Sequence, residues 1–278
     1  IYVHDGGTLA NPSSAGLGAS GETAADEDNC ASVTVYTNGV FRPGWETYAY
    51  PKTVLKDLIF DGGTFDSSRR GFWGWGLLKV TRKLAFKGAT PYAISFGGMD
   101  AKLMFAASRQ TKIDVDDITG DAEADVTFND SWIGRGSETS VAGFQKTGSG
   151  TLVFKKEIYH SLKDSARGWL GLTGPIGVDA GVLRFESDKN AFTGRVEVTG
   201  GTLELGAGIS TFTKPTDPAC SHIGSLVSPR EVVASGDGRI VFRHRYMFDA
   251  LSTEGNEPVN RIFFVARDGG ELHIGREG

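Results

Sequence analysis

The densest cluster of side chains suited to ligand binding lies in the segment Arg69–Gly76, which contains two tryptophans separated by one glycine. Trp73 and Trp75 offer flat apolar faces that stack on sugar rings, while Arg69 and Arg70 donate charge-assisted hydrogen bonds to acidic groups. We predict that these four residues form a ligand-binding loop. The alternative is that the aromatic loop folds back and covers the side of the fold.

An acidic stretch could provide the oxygen ligands that Ca²⁺ prefers. Its members are Asp114, Asp116, Asp117, Asp121, Glu123 and Asp125. Their spacing fits neither an EF-hand loop nor the glycine-rich repeat of calcium-binding β-rolls. The alternation over residues 113–116 instead favours a strand whose outer face is acidic, and the acidic residues 26–28 look like the tip of a loop.

Spacings typical of catalytic centres do not stand out. The five histidines are scattered, and neither a Ser-His-Asp, a Cys-His nor a His-rich metal pattern is visible. The dense basic groups are Arg69-Arg70 and residues 243–245, and no carboxylate cluster can be placed beside either. We therefore predict no catalytic residue, no metal site and no cofactor, and we favour a non-enzymatic role.

Composition excludes several classes of protein. The 278 residues include 39 glycines, about twice the usual share, without the three-residue period of collagen. A formal net charge of -5 disfavours nucleic acid as a partner. Since the sequence contains neither a long apolar run nor a signal peptide, we expect no membrane contact by this segment, and we interpret both ends as cut from a longer chain.

A short phrase recurs along the chain: one or two small residues, usually glycine, a variable residue, and then an apolar-x-apolar strand. The copies begin at Gly62, Gly148, Ala180, Gly200, Gly236 and Gly269, with weaker copies at Gly6 and Asn38. Spacings of roughly 20 to 40 residues are typical of the coils of a solenoid.

The chemistry of the phrase explains why it recurs. Glycine turns a corner that most residues cannot, and side chains then alternate across the strand that follows. The alternation directs one set of residues inward: Leu152, Leu183, Leu203, Ile240 and Leu272. It leaves Arg184, Val241 and His273 outside. A strand often precedes the corner as well, so strand, corner and strand make one coil of a β-helix. A β-sandwich of hairpins is the alternative, although Asn38-Gly39 is the only clear hairpin turn.

Residues 144–206 carry a family resemblance. The stretch Lys146-Thr147-Gly148-Ser149-Gly150-Thr151-Leu152 and the later stretch 190–206, which ends Gly200-Gly201-Thr202-Leu203-Glu204-Leu205-Gly206, resemble the autotransporter-associated β-strand repeat. The departures from the family are Phe192 in place of the usual Tyr and a longer connection over residues 157–175. The resemblance implies a β-helical passenger segment that is exported to the bacterial surface, and it carries no catalytic residues to transfer.

The sequence thus predicts an all-β, right-handed parallel β-helix that forms one solenoid segment over residues 1–278. We expect a structural or adhesive stalk of a secreted bacterial surface protein, outside the outer membrane, whose partner is a glycan or a host or neighbouring cell surface. Two alternatives stay open: a carbohydrate-active β-helix enzyme (a polysaccharide lyase or glycoside hydrolase) and a non-catalytic glycan-binding module. Cys30 and Cys220 lie several coils apart, so we predict that they do not form a disulfide.

Overall fold

The computed structural model of the chain describes residues 1–10, 29–43, 52–66, 77–95, 102–106, 109–129, 132–134, 143–155, 174–186, 195–205, 230–242 and 262–274. All regular elements in these ranges are β-strands, numbered β1 to β22 in chain order. None of the described elements is a helix with the length and apolar character needed to cross a membrane.

The longest sheet forms the first face of the molecule. Its main path runs through β1 (Tyr2–Val3), β3 (Ser32–Tyr36), β5 (Lys52–Asp61), β7 (Leu77–Lys87), β10 (Thr111–Val115), β13 (Phe144–Thr147), β15 (Ile176–Val178), β17 (Val196–Val198), β19 (Arg230–Ala234) and β21 (Ile262–Ala266). Two further strands, β9 (Lys102–Phe105) and β12 (Trp132–Gly134), extend it sideways from the first half of β7. A register shift between Leu55 and Asp57 marks the place where β5 and β7 pass from this side extension into the main path.

The second face consists of two sheets. One contains β2 (Thr8–Ala10), β4 (Val40–Arg42) and β6 (Thr64–Phe65). The other contains β8 (Tyr92–Ile94), β11 (Val126–Phe128), β14 (Thr151–Phe154), β16 (Val182–Phe185), β18 (Thr202–Leu205), β20 (Arg239–Phe242) and β22 (Glu271–Ile274). The chain therefore alternates between the two faces, and each passage from one face to the other and back adds a coil.

Every pairing between these strands is parallel, which confirms the parallel β-helix and excludes a sandwich of antiparallel hairpins. Coils repeat at unequal intervals along the chain: Ile176 pairs with Val196, 20 residues later, whereas Val196 pairs with Val232, 36 residues later. Because neighbouring coils lie about 4.8 Å apart, the ten strands of the main path make a stack on the order of 45 Å long.

Identical types of side chain form ladders inside the stack. On the second face Phe128, Phe154 and Phe185 occupy one row, with ring centroids 5.1 and 5.6 Å apart in stacked geometry. The predicted inward residues Leu152, Leu183, Leu203 and Ile240 are at most 2% exposed. Leu272 packs against the same core from the last described coil, where it is only partly buried. The predicted inward register is therefore confirmed.

Val241 occupies the outward row, as predicted, between Glu204 and His273, but it is only 4% exposed. Val153 in the same row is also buried, at 1%. Alternation along a strand assigns the direction of a side chain, but it does not show whether other parts of the chain cover that face.

Glycine is required at the corners for two reasons. Gly148 adopts a left-handed conformation with φ of 76°, which L side chains rarely reach. Gly238 has an ordinary φ, but a Cβ atom there would collide with the carbonyl oxygen of Val198 in the preceding coil. One glycine thus allows the turn, and the other allows close stacking of the coils.

Candidate functional site

The predicted ligand-binding residues Arg69, Arg70, Trp73 and Trp75 lie outside the described residues. They belong to the connection that leaves β6 and enters β7. The described residue nearest to them on the β6 side is Asp66, whose carboxylate binds the guanidinium of Arg42 at 2.7 Å. Ligand binding by the aromatic cluster stays a prediction.

The acidic stretch divides into a strand and a corner. In β10 Ile113 and Val115 are buried, whereas Asp114 faces outward, as predicted for a strand with an acidic outer face; Asp116 follows the strand and is exposed. The carboxylate of Asp114 forms a salt bridge with the Nζ atom of Lys83 at 2.6 Å. Burial opposes its ionisation, but the hydrogen bond and charge of Lys83 outweigh that effect, so the pKa of Asp114 lies below its usual range.

Asp125 is the organising residue of the acidic corner. Its side chain is fully buried and accepts hydrogen bonds from the amides of Ile118 and Thr119, both at 2.7 Å, and from the amide of Thr151 in the next coil at 2.6 Å. The carboxylate therefore holds a ten-residue corner in place and ties it to the next coil.

The carboxylates at the tip of this corner also bind their own backbone. Asp117 accepts from the amide of Gly120 at 2.8 Å, and Asp121 accepts from the amide of Glu123 at 2.7 Å. Within the described ranges, no group of three or more acidic, histidine or cysteine side chains has the arrangement that holds a metal ion. What these oxygens do in the structure is cap turns.

Lys146 is buried in a core position. It occupies the inward row between Ile113 and Val178, and its side chain is 0% exposed. Its ammonium donates to three backbone carbonyls: those of Thr147 at 2.9 Å and Gly148 at 2.8 Å, and that of Ala180 in the next coil at 3.2 Å. Burial lowers the pKa of Lys146 to about 8, although the charges of Asp114 and Asp125 act in the opposite direction.

This lysine was not singled out as a candidate residue. Its signal in the sequence is local: Lys146 stands two residues before Gly148, in the same alternation that buries Phe144. It is the lysine of the family phrase quoted above. The structure explains why a lysine occupies this position: the carbonyls of the corner residues accept hydrogen bonds from its ammonium group.

A polar row follows the outer side of the first face across several coils. Asp114 accepts a hydrogen bond from the hydroxyl of Thr147 at 3.1 Å. One coil further, the carboxylate of Asp179 accepts a hydrogen bond from the side-chain amide of Gln145 at 2.5 Å. It accepts another from the hydroxyl of Thr199 at 3.0 Å. Each contact joins neighbouring coils, so the row reinforces the stack from outside.

Two ion pairs also join neighbouring coils, one on the second face and one at the register shift in β5. On the second face Arg184 binds Glu204 at 2.6 Å, and Glu204 is only 5% exposed. At the register shift in β5, Asp57 binds the guanidinium of Arg82 and accepts from the hydroxyl of Ser32 at 2.6 Å. Burial works against ionisation of Asp57, but Arg82 and Ser32 prevail and lower its pKa.

Strong pairing limits what these carboxylates can do chemically. A general acid at neutral pH needs a raised pKa, whereas the pKa values of Asp57 and Asp114 are lowered by their partners. The ion pairs of Asp57 and Asp114 hold neighbouring strands together, and these two carboxylates are poorly suited to donating protons.

Fold and contacts together define the class of this molecule as a parallel β-helical protein whose coils are joined by apolar ladders inside and polar contacts outside. Comparison of the chain with protein-family models, curated protein sequences and solved structures gives no match. The repeat resemblance therefore rests on the residues quoted for it.

Proposed function

We propose that this chain is a structural segment of a secreted bacterial surface protein, a β-helical stalk that holds adhesive parts away from the cell. The observation that carries the proposal is the uninterrupted parallel pairing from β1 to β21, in which each coil is stabilised by its neighbours. Polar contacts between coils on the outer side add to this cohesion. Together these features suit a stiff spacer.

The distribution of chain length between coils also supports a stalk. The coil from Ile176 to Val196 is the shortest, and the longer coils gain most of their residues where the chain leaves the second face and returns to the first. Segments of different length can therefore be carried by a common stack. We infer that the partner is a glycan or another component of a host or neighbouring cell surface.

Cell-surface exposure tests the proposal most directly. Antibodies raised against the purified chain should label intact producing bacteria in immunogold electron microscopy, and external protease should remove the label. Labelling that needs permeabilised cells would refute a surface stalk.

The modular character of the stack allows a second test. Deleting residues 176–195 removes one complete coil, because Ile176 and Val196 occupy the same row. The shortened chain should keep its strand content by circular dichroism and lose about 5 Å of length in small-angle X-ray scattering. Deleting residues 182–195 removes β16 alone, so that β15 is followed directly by another strand of the first face, and should prevent folding. If both deletions unfold the protein, the coils are not interchangeable spacers.

Glycan binding by the connection between β6 and β7 is tested separately. Binding on a glycan array that disappears when Trp73 and Trp75 are both changed to Ala, with an unchanged melting temperature, would support a ligand site there. A lowered melting temperature in a chain that binds no glycan would mean that the indole rings have a packing role.

A further inference from the structure

A cluster of basic side chains lies on the outer side of the first face, in the two coils that contain β7 and β10. Its members are Arg82, Lys83, Arg109 and Lys112, and we call it the basic surface. Arg82, Arg109 and Lys112 are exposed, and Lys83 is partly exposed. Because β5 and β13 pair with these strands on either side, the basic surface belongs to the middle of the stack and not to one of its ends.

A bulge in β7 directs two consecutive cations to the solvent. Leu55 pairs with Val80 and Asp57 pairs with Lys83, so β7 has one residue more than β5 between these two pairs. A bulge changes the direction of the side chains next to it. The side chain of Arg82 is 54% exposed and that of Lys83 is 34% exposed, although strict alternation would direct only one of them outward.

Two lysines occupy directly neighbouring positions on this surface. Lys83 and Lys112 are partners in the parallel pairing of β7 and β10, so their Cα atoms lie about 4.8 Å apart. Like charges at neighbouring positions destabilise a sheet. Lys83 is compensated by its salt bridge to Asp114, whereas Lys112 forms no ion pair with any residue that the structure describes. The fold would therefore tolerate an uncharged or acidic side chain at position 112.

The carboxylates nearest to the basic surface are already bound to it. Asp57 accepts a hydrogen bond from the Nε atom of Arg82 at 2.7 Å, and Asp114 binds Lys83. Four cations thus face two carboxylates, which leaves a local excess of positive charge in a chain whose formal net charge is -5. The exposed Asp61 and Asp116 lie four residues further along β5 and after β10, about 13 Å away.

We propose that the basic surface binds a linear acidic polysaccharide through the carboxylate or sulfate groups of successive sugar residues. A polysaccharide that runs along the stack passes Lys83 and Lys112 one after the other, with Arg82 and Arg109 beside them. A guanidinium can bind two oxygens of one anionic group, and the neighbouring amide of Gln145 suits sugar hydroxyls. This assignment names the class of glycan that the stalk binds, and to that extent it rests on the proposed function.

Nucleic acid fits the same charges less well. Proteins hold single strands by stacking bases on aromatic side chains as well as by charge. From β5 to β13, the row of Lys83 and the next outward row of the described strands contain no aromatic side chain. A polysaccharide needs no such rings, because its anionic groups and hydroxyls can be bound by cations and amides alone.

Calorimetric titration of the purified 278-residue chain with a galacturonate hexamer, a heparin hexasaccharide and cellohexaose tests the proposal. At least one acidic ligand should bind and the neutral cellohexaose should not, and added salt should weaken the binding. Tighter binding of the galacturonate would identify carboxylate as the preferred group, and tighter binding of the heparin fragment would identify sulfate.

Substitution of Lys112 separates binding from stability. Lys112→Ala should weaken binding by about fivefold and Lys112→Glu by more than about tenfold. Since a glutamate would pair favourably with Lys83, Lys112→Glu should leave the melting temperature unchanged or raise it. Lys155→Glu makes the same change of charge at an exposed position after β14, on the second face. This matched control should bind like the unchanged chain.

Several results would overturn the assignment. These are no binding of either acidic ligand, equally tight binding of cellohexaose, an equal loss in Lys155→Glu, or a lowered melting temperature in Lys112→Glu. Tighter binding of a thymidine oligonucleotide would assign the surface to nucleic acid. The titration uses the purified chain, so it can fail while intact bacteria are labelled by antibody, which would refute this ligand and leave the stalk in place. Binding without labelling would refute only the stalk.

Discussion

Changing Lys146 to methionine isolates the energetic effect of one buried ammonium group. Lys146 is fully buried between Ile113 and Val178 and binds three backbone carbonyls, while its burial lowers its pKa from 10.5 to about 8. Methionine has a similar length and no charge, so the variant retains most of the packing and loses the titration.

The sign of the pH effect follows from the two pKa values. Between pH 8 and 10.5 the unfolded chain still holds the proton that the folded chain has released. The free energy of unfolding therefore rises with pH across this window, by at most about 3 kcal/mol. Below pH 8 both states are protonated, and the contribution is constant and unfavourable to folding.

Urea unfolding of the unchanged chain and of Lys146→Met, measured in parallel from pH 6.5 to 10.5, gives this quantity as a difference. The unchanged chain should gain stability relative to the variant as the pH rises above 8. Lys112→Met, at an exposed position on β10, is the matched control. The difference in stability between the unchanged chain and Lys112→Met should not change with pH in this way, because both chains keep Lys146. A difference that stays flat to pH 10.5 would refute the reasoning, because the three carbonyls would then hold the ammonium as well as water does.

Three further changes test the core, a corner and an ion pair. Leu203→Ala should cost about 2–5 kcal/mol in urea unfolding, and a loss near zero would remove its coil from the core. Gly238→Ala should lower the melting temperature by several degrees through collision with the Val198 carbonyl. Gly177→Ala, where the nearest atoms belong to the flexible side chain of Gln145, should lower it less; equal effects would contradict the stacking argument. Asp57→Asn should be less stable than the unchanged chain at neutral pH. Because the pKa of Asp57 is lowered, this deficit should shrink as the pH falls below about 4, and a deficit independent of pH would exclude the ion pair as its cause.

The inner ladders could be predicted from the sequence because their cause is local. A glycine corner followed by alternating side chains assigns the inward direction of Leu152, Leu183 and Ile240 without knowledge of other coils. Leu272 differs only in extent of burial, since no described coil lies beyond it.

The contacts between coils could not be predicted in the same way. Lys146 reaches the carbonyl of Ala180, and Arg184 reaches Glu204, only because the coils come into a particular register. That register depends on connections of very different length, which a local pattern does not determine.

Corners between the two faces are held by backbone hydrogen bonds and, at some positions, by buried polar side chains. Where the short glycine phrase is present, backbone groups of adjacent corners bind each other, as in the amide of Thr202 donating to the carbonyl of Gly181 at 2.8 Å. The corner at residues 116–125 is longer than the others described, and buried polar side chains supply bonds both there and at the four-residue corner 88–91. The hydroxyl of Tyr92 accepts from the amide of Gly62 at 2.9 Å and donates to the carbonyl of Lys87.

Asp125 has the corresponding role at the acidic corner, where it accepts from amides of its own coil and from that of Thr151 in the next. A buried backbone amide without a partner costs about 1–3 kcal/mol, so the carboxylate of Asp125 stabilises this longer corner by accepting from amides that would otherwise lack a partner. Lys146 acts on the corner of the next coil, at residues 148–150, by donating to the carbonyls of Thr147 and Gly148. This second corner is thereby held by an anion through the amide of Thr151 and by a cation through its carbonyls, which explains why Asp125 and Lys146 occupy buried positions.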